Sequence, residues 1–215
     1  KNTINFEFVK GRLKVRYNSL SPQAAVKYFE KLYKDYPTNE NKYAYISALQ
    51  SNGQTDQALR VMNEILIKFP KNLILNITKS EILLSGQRLS DALKNIDQVL
   101  NISPGNYPAS IIKSKILSSK KEFIKSEEIL RDLLIRKNRD PGLWMQLSEV
   151  QRAGKNIVGY HLSRGEYYTL IGDFDNALNQ FQFALSLSGN SFQTSETIMT
   201  KIKFAKERLG KRRGF

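Results

Sequence analysis

Small residues recur along this chain at a nearly constant interval, and that interval limits its fold more than any other feature. The small positions are separated by 33, 34 and 34 residues and are Ala25, Ala58, Ala92 and Ser126. In the first three copies a proline follows twelve residues after the alanine, at Pro37, Pro70 and Pro104. A repeat of about 20 to 50 residues is typical of chains built from stacked copies of one small structural unit.

Each copy has the pattern of two helices. Apolar residues recur at three- and four-residue spacing, as in Met62, Ile65 and Leu66, which indicates one buried helix face. A small side chain lets two helices approach closely, a glycine allows a left-handed cap after the first helix, and a proline ends the second. The predicted repeat-packing positions are Ala25, Ala58, Ala92, Ser126, Ala177, Gly53 and Gly172. A helix-turn-helix unit with a period of about 34 residues is the signature of the tetratricopeptide repeat (TPR).

The last interval, from Ser126 to Ala177, is 51 residues, which is one repeat and a half. We therefore expect residues 157–171 to be a shared helix that closes one pair and opens the next. The predicted fold class is an all-α, TPR-like α-solenoid of about twelve antiparallel helices with a half-repeat shift near residues 142–171 and a C-terminal capping helix. One domain is predicted over residues 1–215, with helix pairs at 3–35, 40–68, 73–101, 107–136, 142–171 and 157–187 and a capping helix at 194–209.

The charge of the chain is strongly basic, at +14. One basic cluster consists of Lys113, Lys115, Lys120, Lys121 and Lys125, and the C-terminal "KIKFAKERLGKRRGF" is a second. A basic field attracts acidic partners, although solvated helix faces on a lysine-rich protein have the same composition. No recognised reader motif accompanies the charge, so nucleic acid is not the favoured partner. An acidic protein surface or anionic lipid head groups are the other candidates.

Residues for catalysis are few. Zinc hydrolysis needs two or three His or Cys ligands, and the chain has one histidine, His161, and no cysteine. We therefore expect no enzyme activity and no cofactor in this chain. No apolar stretch approaches the ~18 residues of a membrane span.

Partner binding is expected on the concave face that the first helices of the pairs line in a TPR array. The repeat register places eight side chains there, which are Tyr43, Ser47, Gln50, Lys115, Ser118, Met145, Glu149 and Arg152.

The region from residue 143 to 209 resembles the C-terminal TPR tail of the BepA/YfgC-like periplasmic zinc metallopeptidases of Gram-negative bacteria. The matching features are Trp144 and Leu147, the run Arg164-Gly165-Glu166-Tyr167, Gly172-Asp173 followed by Ala177, and the last helix at 194–209. The opening "FEFVKGRLKVRYNSLSPQAAVKYFEKL" is similar to the link between peptidase domain and tail in that family. The resemblance extends over nearly the whole chain.

This resemblance implies a protein-binding tail in the periplasm. The HExxH motif is not in these 215 residues, so the resemblance places zinc only in a peptidase domain outside them. Because the first residue is Lys1, we expect a processed chain or part of a longer protein. The implied partners are outer-membrane proteins and their assembly machinery, including the β-barrel assembly complex and the lipopolysaccharide transporter. The alternative is a free-standing TPR scaffold or adaptor in the cytoplasm that binds acidic proteins or nucleic acid through its basic faces.

Overall fold

The computed structural model describes residues 2–189 and 192–213, and over these residues the chain is helical, with no strand. The helices are α1 (Asn2–Arg16), α2 (Pro22–Asp35), α3 (Asn39–Ser51), α4 (Thr55–Lys68), α5 (Leu73–Ser85), α6 (Leu89–Ile102), α7 (Tyr107–Ser119), α8 (Phe123–Arg136), α9 (Pro141–Ala153), α10 (Ile157–Leu170), α11 (Phe174–Leu187) and α12 (Phe192–Arg213). From α3 to α11 the outer bounds of the predicted pairs lie within one residue of those observed. The C-terminal helix is longer than the predicted 194–209.

A residue with a left-handed backbone conformation follows the first helix of each repeat. Positive φ angles between 58° and 79° occur at Gly53, Gln87, Lys121, Lys155 and Gly172. The first four of these positions are 34 residues apart, and the last interval is 17 residues. The repeat period and the half-repeat are therefore visible in the backbone itself. At Gly53 and Gly172 glycine makes this conformation easy, whereas the other three side chains adopt it at a cost.

The second helix of each of the first three predicted pairs ends shortly before one of the repeated prolines. Helices α2, α4 and α6 each stop two residues before a proline, which cannot continue the hydrogen-bond ladder. Several helices begin at a side chain that accepts a hydrogen bond from the first turn. These N-cap residues are Ser21, Thr38, Asn72, Asp140, Asn156 and Asp173.

The small marker residues are buried, as expected of packing positions. Ala58, Ala92, Ser126 and Ala177 are fully buried, and Ala25 is nearly so. A side chain no larger than a methyl or hydroxymethyl group allows the close approach of neighbouring helices at these points.

The structure divides into two compact units, residues 1–116 and residues 117–215, with the boundary inside α7. Unit 1 has one continuous apolar core, whose largest fully buried side chains include Tyr43, Phe29, Ile46 and Leu49. The single domain over residues 1–215 stays a prediction.

Helix α1 does not form the predicted pair 3–35 with α2. Among the described residues its close packing is with α3. Ile4, Phe8 and Val15, which recur at helical spacing, face the core of unit 1. The predicted pair does not form because this stripe meets α3 and the residue after α4, where the ring of Phe8 packs on those of Tyr43 and Phe69.

In unit 2, α10 is the shared helix. It packs closely against both α9 and α11, and small residues line its two contacts. An added Cβ at Gly159 would lie 2.7 Å from Gln151 of α9, and one at Gly165 would lie 2.2 Å from the ring of Phe181 of α11. Helix α12 then packs on α11, where Ile198 joins Phe181 in a small core.

Candidate partner-binding faces

The predicted binding face on α3 is not open to solvent. Tyr43 is 1% exposed and Ser47 is 6% exposed, and Gln50 is half-buried. The prediction that Tyr43 and Ser47 line an accessible surface is therefore wrong. The physical reason is that α1 lies over Tyr43, with the ring of Phe8 packed on that of Tyr43. We call the surface formed by Glu40 and Tyr43 of α3 with Thr78 and Glu81 of α5 the α3–α5 face.

Phe8 anchors α1 on this face. Its side chain is fully buried, and its ring centroid lies 5.3 Å from that of Tyr43 and 6.0 Å from that of Phe69. These distances are within the range of favourable aromatic pairs. Three residues later, Gly11 touches the backbone of α3, since an added Cβ would lie 2.5 Å from the carbonyl oxygen of Glu40.

Beneath α1 is a polar contact between α3 and α5. The Tyr43 hydroxyl and Thr78 Oγ1 are 2.6 Å apart, and Thr78 also donates to the carbonyl oxygen of Ile74 at 2.9 Å. Burial raises the pKa of Tyr43, so its hydroxyl stays protonated at neutral pH. Arg12 of α1 pairs with Glu81 next to this contact. Burial alone would lower the pKa of Arg12, but Tyr43 and Glu81 outweigh burial and raise it.

A second charged contact lies at the start of α3. Lys10 Nζ is 3.2 Å from Glu40 Oε2, and Lys14 pairs with the other oxygen of the same carboxylate. Burial alone would raise the pKa of Glu40, but the hydrogen bonds from Lys14 and Lys10 outweigh it and lower the pKa. The basic side chains of α1 therefore meet acidic side chains on the α3–α5 face.

In unit 2 the predicted residues of α9 do reach the surface. Glu149 and Arg152 are exposed and form an ion pair at 2.7 Å, and Met145 is half-buried. The structure adds a neighbour from α10, because Arg164 Nη1 lies 2.9 Å from the sulfur of Met145.

Two tyrosines complete this surface. Arg164 Nη2 donates to the Tyr168 hydroxyl at 2.9 Å, and its guanidinium carbon lies 5.1 Å from the Tyr168 ring centroid and 5.8 Å from that of Tyr167. Both distances are typical of cation–π contacts. We call Met145, Arg164, Tyr167 and Tyr168 the α9–α10 cluster. The sequence analysis missed its three α10 members as binding residues, although their three- and four-residue spacing could have placed them on one helix face.

The residues predicted on α7 and the basic cluster are largely exposed but partly neutralised. Lys115 and Lys121 are exposed, and Ser118 is half-buried. Three ion pairs involve the other lysines, which are Lys113 with Asp97 at 2.9 Å, Lys125 with Glu122 at 2.7 Å and Lys120 with Glu122 at 3.9 Å. The hydrogen bond from Lys125 lowers the pKa of Glu122. These acidic neighbours weaken the field that the lysines present to a partner.

The side chain of His161 makes contacts with three neighbouring side chains. Its Nδ1 lies 2.9 Å from Gln180 Oε1, and its ring lies between those of Tyr160 and Phe183. Within residues 2–189 and 192–213, no group of three or more His, Asp or Glu side chains could hold a metal ion. In the same ranges, no helix has the length and apolarity that a membrane crossing requires.

The chain is similar in fold to several solved structures, two of which are described as TPR proteins. A TPR protein from Parabacteroides merdae is 18% identical with a TM-score of 0.57, and the match covers 94% of this chain and 84% of that one. A thermophilic TPR protein from Thermus thermophilus is 20% identical with a TM-score of 0.55, covering 91% and 98%. MamA from Desulfovibrio magneticus is 13% identical with a TM-score of 0.54, covering 87% and 96%. The sequence matches no family model and no curated protein. The fold class is therefore an all-α, TPR-like solenoid.

Proposed function

We propose that this chain is a non-catalytic protein-binding module, and the α9–α10 cluster is the observation that carries the proposal. Arg, Tyr and Met are enriched in protein interfaces, and Arg and Tyr are frequent binding hot spots. Arg164 holds Met145 and Tyr168 in place through direct contacts. A pre-ordered cluster of this kind loses less conformational entropy when a partner binds.

The context that we propose for this module follows from the resemblance to the peptidase tails. In that context the chain acts in the periplasm as the tail of a zinc metallopeptidase, and it binds outer-membrane proteins or their assembly machinery. The cytoplasmic adaptor is the second candidate. The net charge of +14 and the exposed Lys115 and Lys121 favour it, because such a surface attracts acidic proteins or nucleic acid.

Affinity measurements separate these candidates. The chain is titrated with a purified, denaturant-diluted outer-membrane protein, with a component of the assembly complex, and with duplex and single-stranded oligonucleotides, each at several salt concentrations. We expect binding to a membrane-assembly partner, and a loss of about tenfold or more for Arg164→Ala because hot-spot truncations cost at least ~2 kcal/mol. Arg136→Ala, an exposed arginine on α8 of the same unit, is the matched control and leaves the affinity unchanged.

Two results would contradict the proposed function or its proposed site. Tight oligonucleotide binding that falls steeply with salt, without affinity for the membrane-assembly partners, would replace the first candidate with the adaptor. Equal affinities of Arg164→Ala and Arg136→Ala for a protein partner would remove the α9–α10 cluster as the binding site.

A further inference from the structure

We propose that the α3–α5 face is a binding site for a basic amphipathic helix of a partner protein, and that α1 is an internal occupant which this partner helix displaces. This inference rests on the proposed protein-binding function and adds the chemistry of the bound segment. The contacts of α1 define that chemistry.

The first requirement is an aromatic anchor. Phe8 is fully buried against Tyr43 and Phe69, while Phe6 of the same helix is 66% exposed. A buried aromatic side chain is typical of helices that bind in a groove, where anchors recur every three or four residues. A partner helix therefore needs a Phe or a similar ring at this position.

The second requirement is a small residue three positions after the anchor. At Gly11 an added Cβ would lie 2.5 Å from the carbonyl oxygen of Glu40 and 3.1 Å from the amide nitrogen of Ala44. Both atoms belong to the backbone of α3, which cannot move without disturbing that helix. A larger side chain at this point would lift the bound helix off the face.

The third requirement is positive charge. Lys10 and Lys14 pair with Glu40, and Arg12 pairs with Glu81. Opposite charges at an interface set the orientation and raise the rate of association. The face therefore discriminates in favour of a basic helix and against an acidic one.

If α1 were displaced, α3 and α5 would still be joined by a hydrogen bond between their own side chains. The Tyr43 hydroxyl and Thr78 Oγ1 are 2.6 Å apart, and Arg12 of α1 adds a longer contact of 3.5 Å to the same Thr78 oxygen. Helix α3 also packs closely on α2 and α4, where Ile46 and Leu49 are buried. Among the described residues, the close helix packing of α1 is with α3, and one side of α1 is exposed at Phe6.

The test uses the full chain and a fluorescent synthetic peptide with the sequence of residues 2–17. In the variant Gly11→Ala the internal helix keeps or gains helix propensity but clashes with α3, so the face is released. We expect this variant to bind the peptide at least about tenfold more tightly than the unaltered chain does, because a tethered competitor acts at millimolar effective concentration. The matched control is Gly210→Ala in α12, where an added Cβ meets no atom within 4 Å. It binds the peptide as the unaltered chain does, and a peptide carrying Phe8→Asp binds neither variant.

Hydrogen exchange of the unaltered chain is the second measurement and does not depend on any variant folding. Amides of α1 should exchange faster than those of α3 and α5, which shows that α1 opens while the face stays folded. Equal exchange rates for the three helices would overturn the proposal. So would equal peptide affinities of the Gly11→Ala and Gly210→Ala variants, or dimers of the chain formed by exchange of α1, which would make a second copy the occupant. None of these outcomes affects the proposed function, because partner binding at the α9–α10 cluster is measured separately through Arg164→Ala.

Discussion

The packing of α10 against α11 provides a test of the half-repeat, because Gly165 of α10 leaves no room for a larger side chain beside Phe181 of α11. An added Cβ there would lie 2.2, 2.5 and 2.7 Å from Cε1, Cδ1 and Cζ of Phe181. Carbon atoms in contact prefer about 3.5 to 4.0 Å, so the ring would have to move by about 1 Å or more. Phe181 is 1% exposed and packs among Ala177, Ala184 and Ile198, so it has no free space to enter. Gly165→Ala should therefore cost about 1 to 3 kcal/mol in overpacking.

The higher helix propensity of alanine raises the free energy of unfolding, so the control variant must contain the same glycine-to-alanine change. Replacing a helical glycine with alanine stabilises a helix interior by about 1 kcal/mol. Gly210→Ala in α12 shares that gain, without the clash. The free energy of unfolding of the Gly165 variant should thus be about 1 to 3 kcal/mol lower than that of the Gly210 variant.

The assay is urea denaturation followed by the fluorescence of Trp144. This residue is the single tryptophan of the chain and lies on α9, which packs directly on α10. It therefore reports on unit 2, to which both substitutions belong. Equal denaturation midpoints for the two variants would refute the close crossing and, with it, the role of α10 as a shared helix.

Three further predictions concern turns, charge and packing. Gln87→Gly and Lys155→Gly should each raise the free energy of unfolding by about 0.5 to 1 kcal/mol. A left-handed backbone costs a non-glycine residue about 1 to 2 kcal/mol, and glycine removes this cost but loses more backbone entropy on folding. Unchanged free energies of unfolding in urea would disprove the strain. Burial alone would raise the pKa of Glu127, but hydrogen bonds from neighbouring side chains outweigh it and lower the pKa below its ordinary 4.5. Its stabilising effect is therefore complete above that pH and is lost as the pH falls through the lowered pKa. Tryptophan-monitored denaturation should show that the stability difference between the parent chain and Glu127→Gln shrinks as the pH is lowered below 4.5. Ala177→Trp should lower the free energy of unfolding by at least ~1 to 3 kcal/mol, whereas Lys121→Ala at an exposed position should change it by no more than ~0.5 kcal/mol. Equal melting temperatures of the two variants would show that the register of small residues is wrong.

The helix bounds could be predicted because local signals repeat in phase. Prolines, caps and small residues recur with the same period, so each copy supports the others. The turns show the limit of such signals. Glycine at positions 86 and 154 marks the end of a helix, yet the left-handed residues are Gln87 and Lys155, one position later. The turn geometry repeats every 34 residues and is kept even where no glycine is present.

The candidate sites were less predictable because they depend on which elements cover a face. The repeat register placed Tyr43 on an open face, but sequence periodicity does not show that α1 lies over it. Ile4, Phe8 and Val15 form a stripe that suits any apolar neighbour. Similarly, the repeat pattern predicted that α9 and α10 form a pair, but it did not predict which of their side chains meet, as Arg164 and Met145 do.

Nuclear Overhauser contacts of the Phe8 ring show whether α1 occupies the α3–α5 face. In the chain labelled selectively at Phe and Tyr, the structure predicts contacts from Phe8 to Tyr43 and to Phe69, whose ring centroids are 5.3 and 6.0 Å away. A Phe8 ring that shows contacts to residues of α2 and none to Tyr43 or Phe69 would place α1 in an ordinary helix pair and contradict the account.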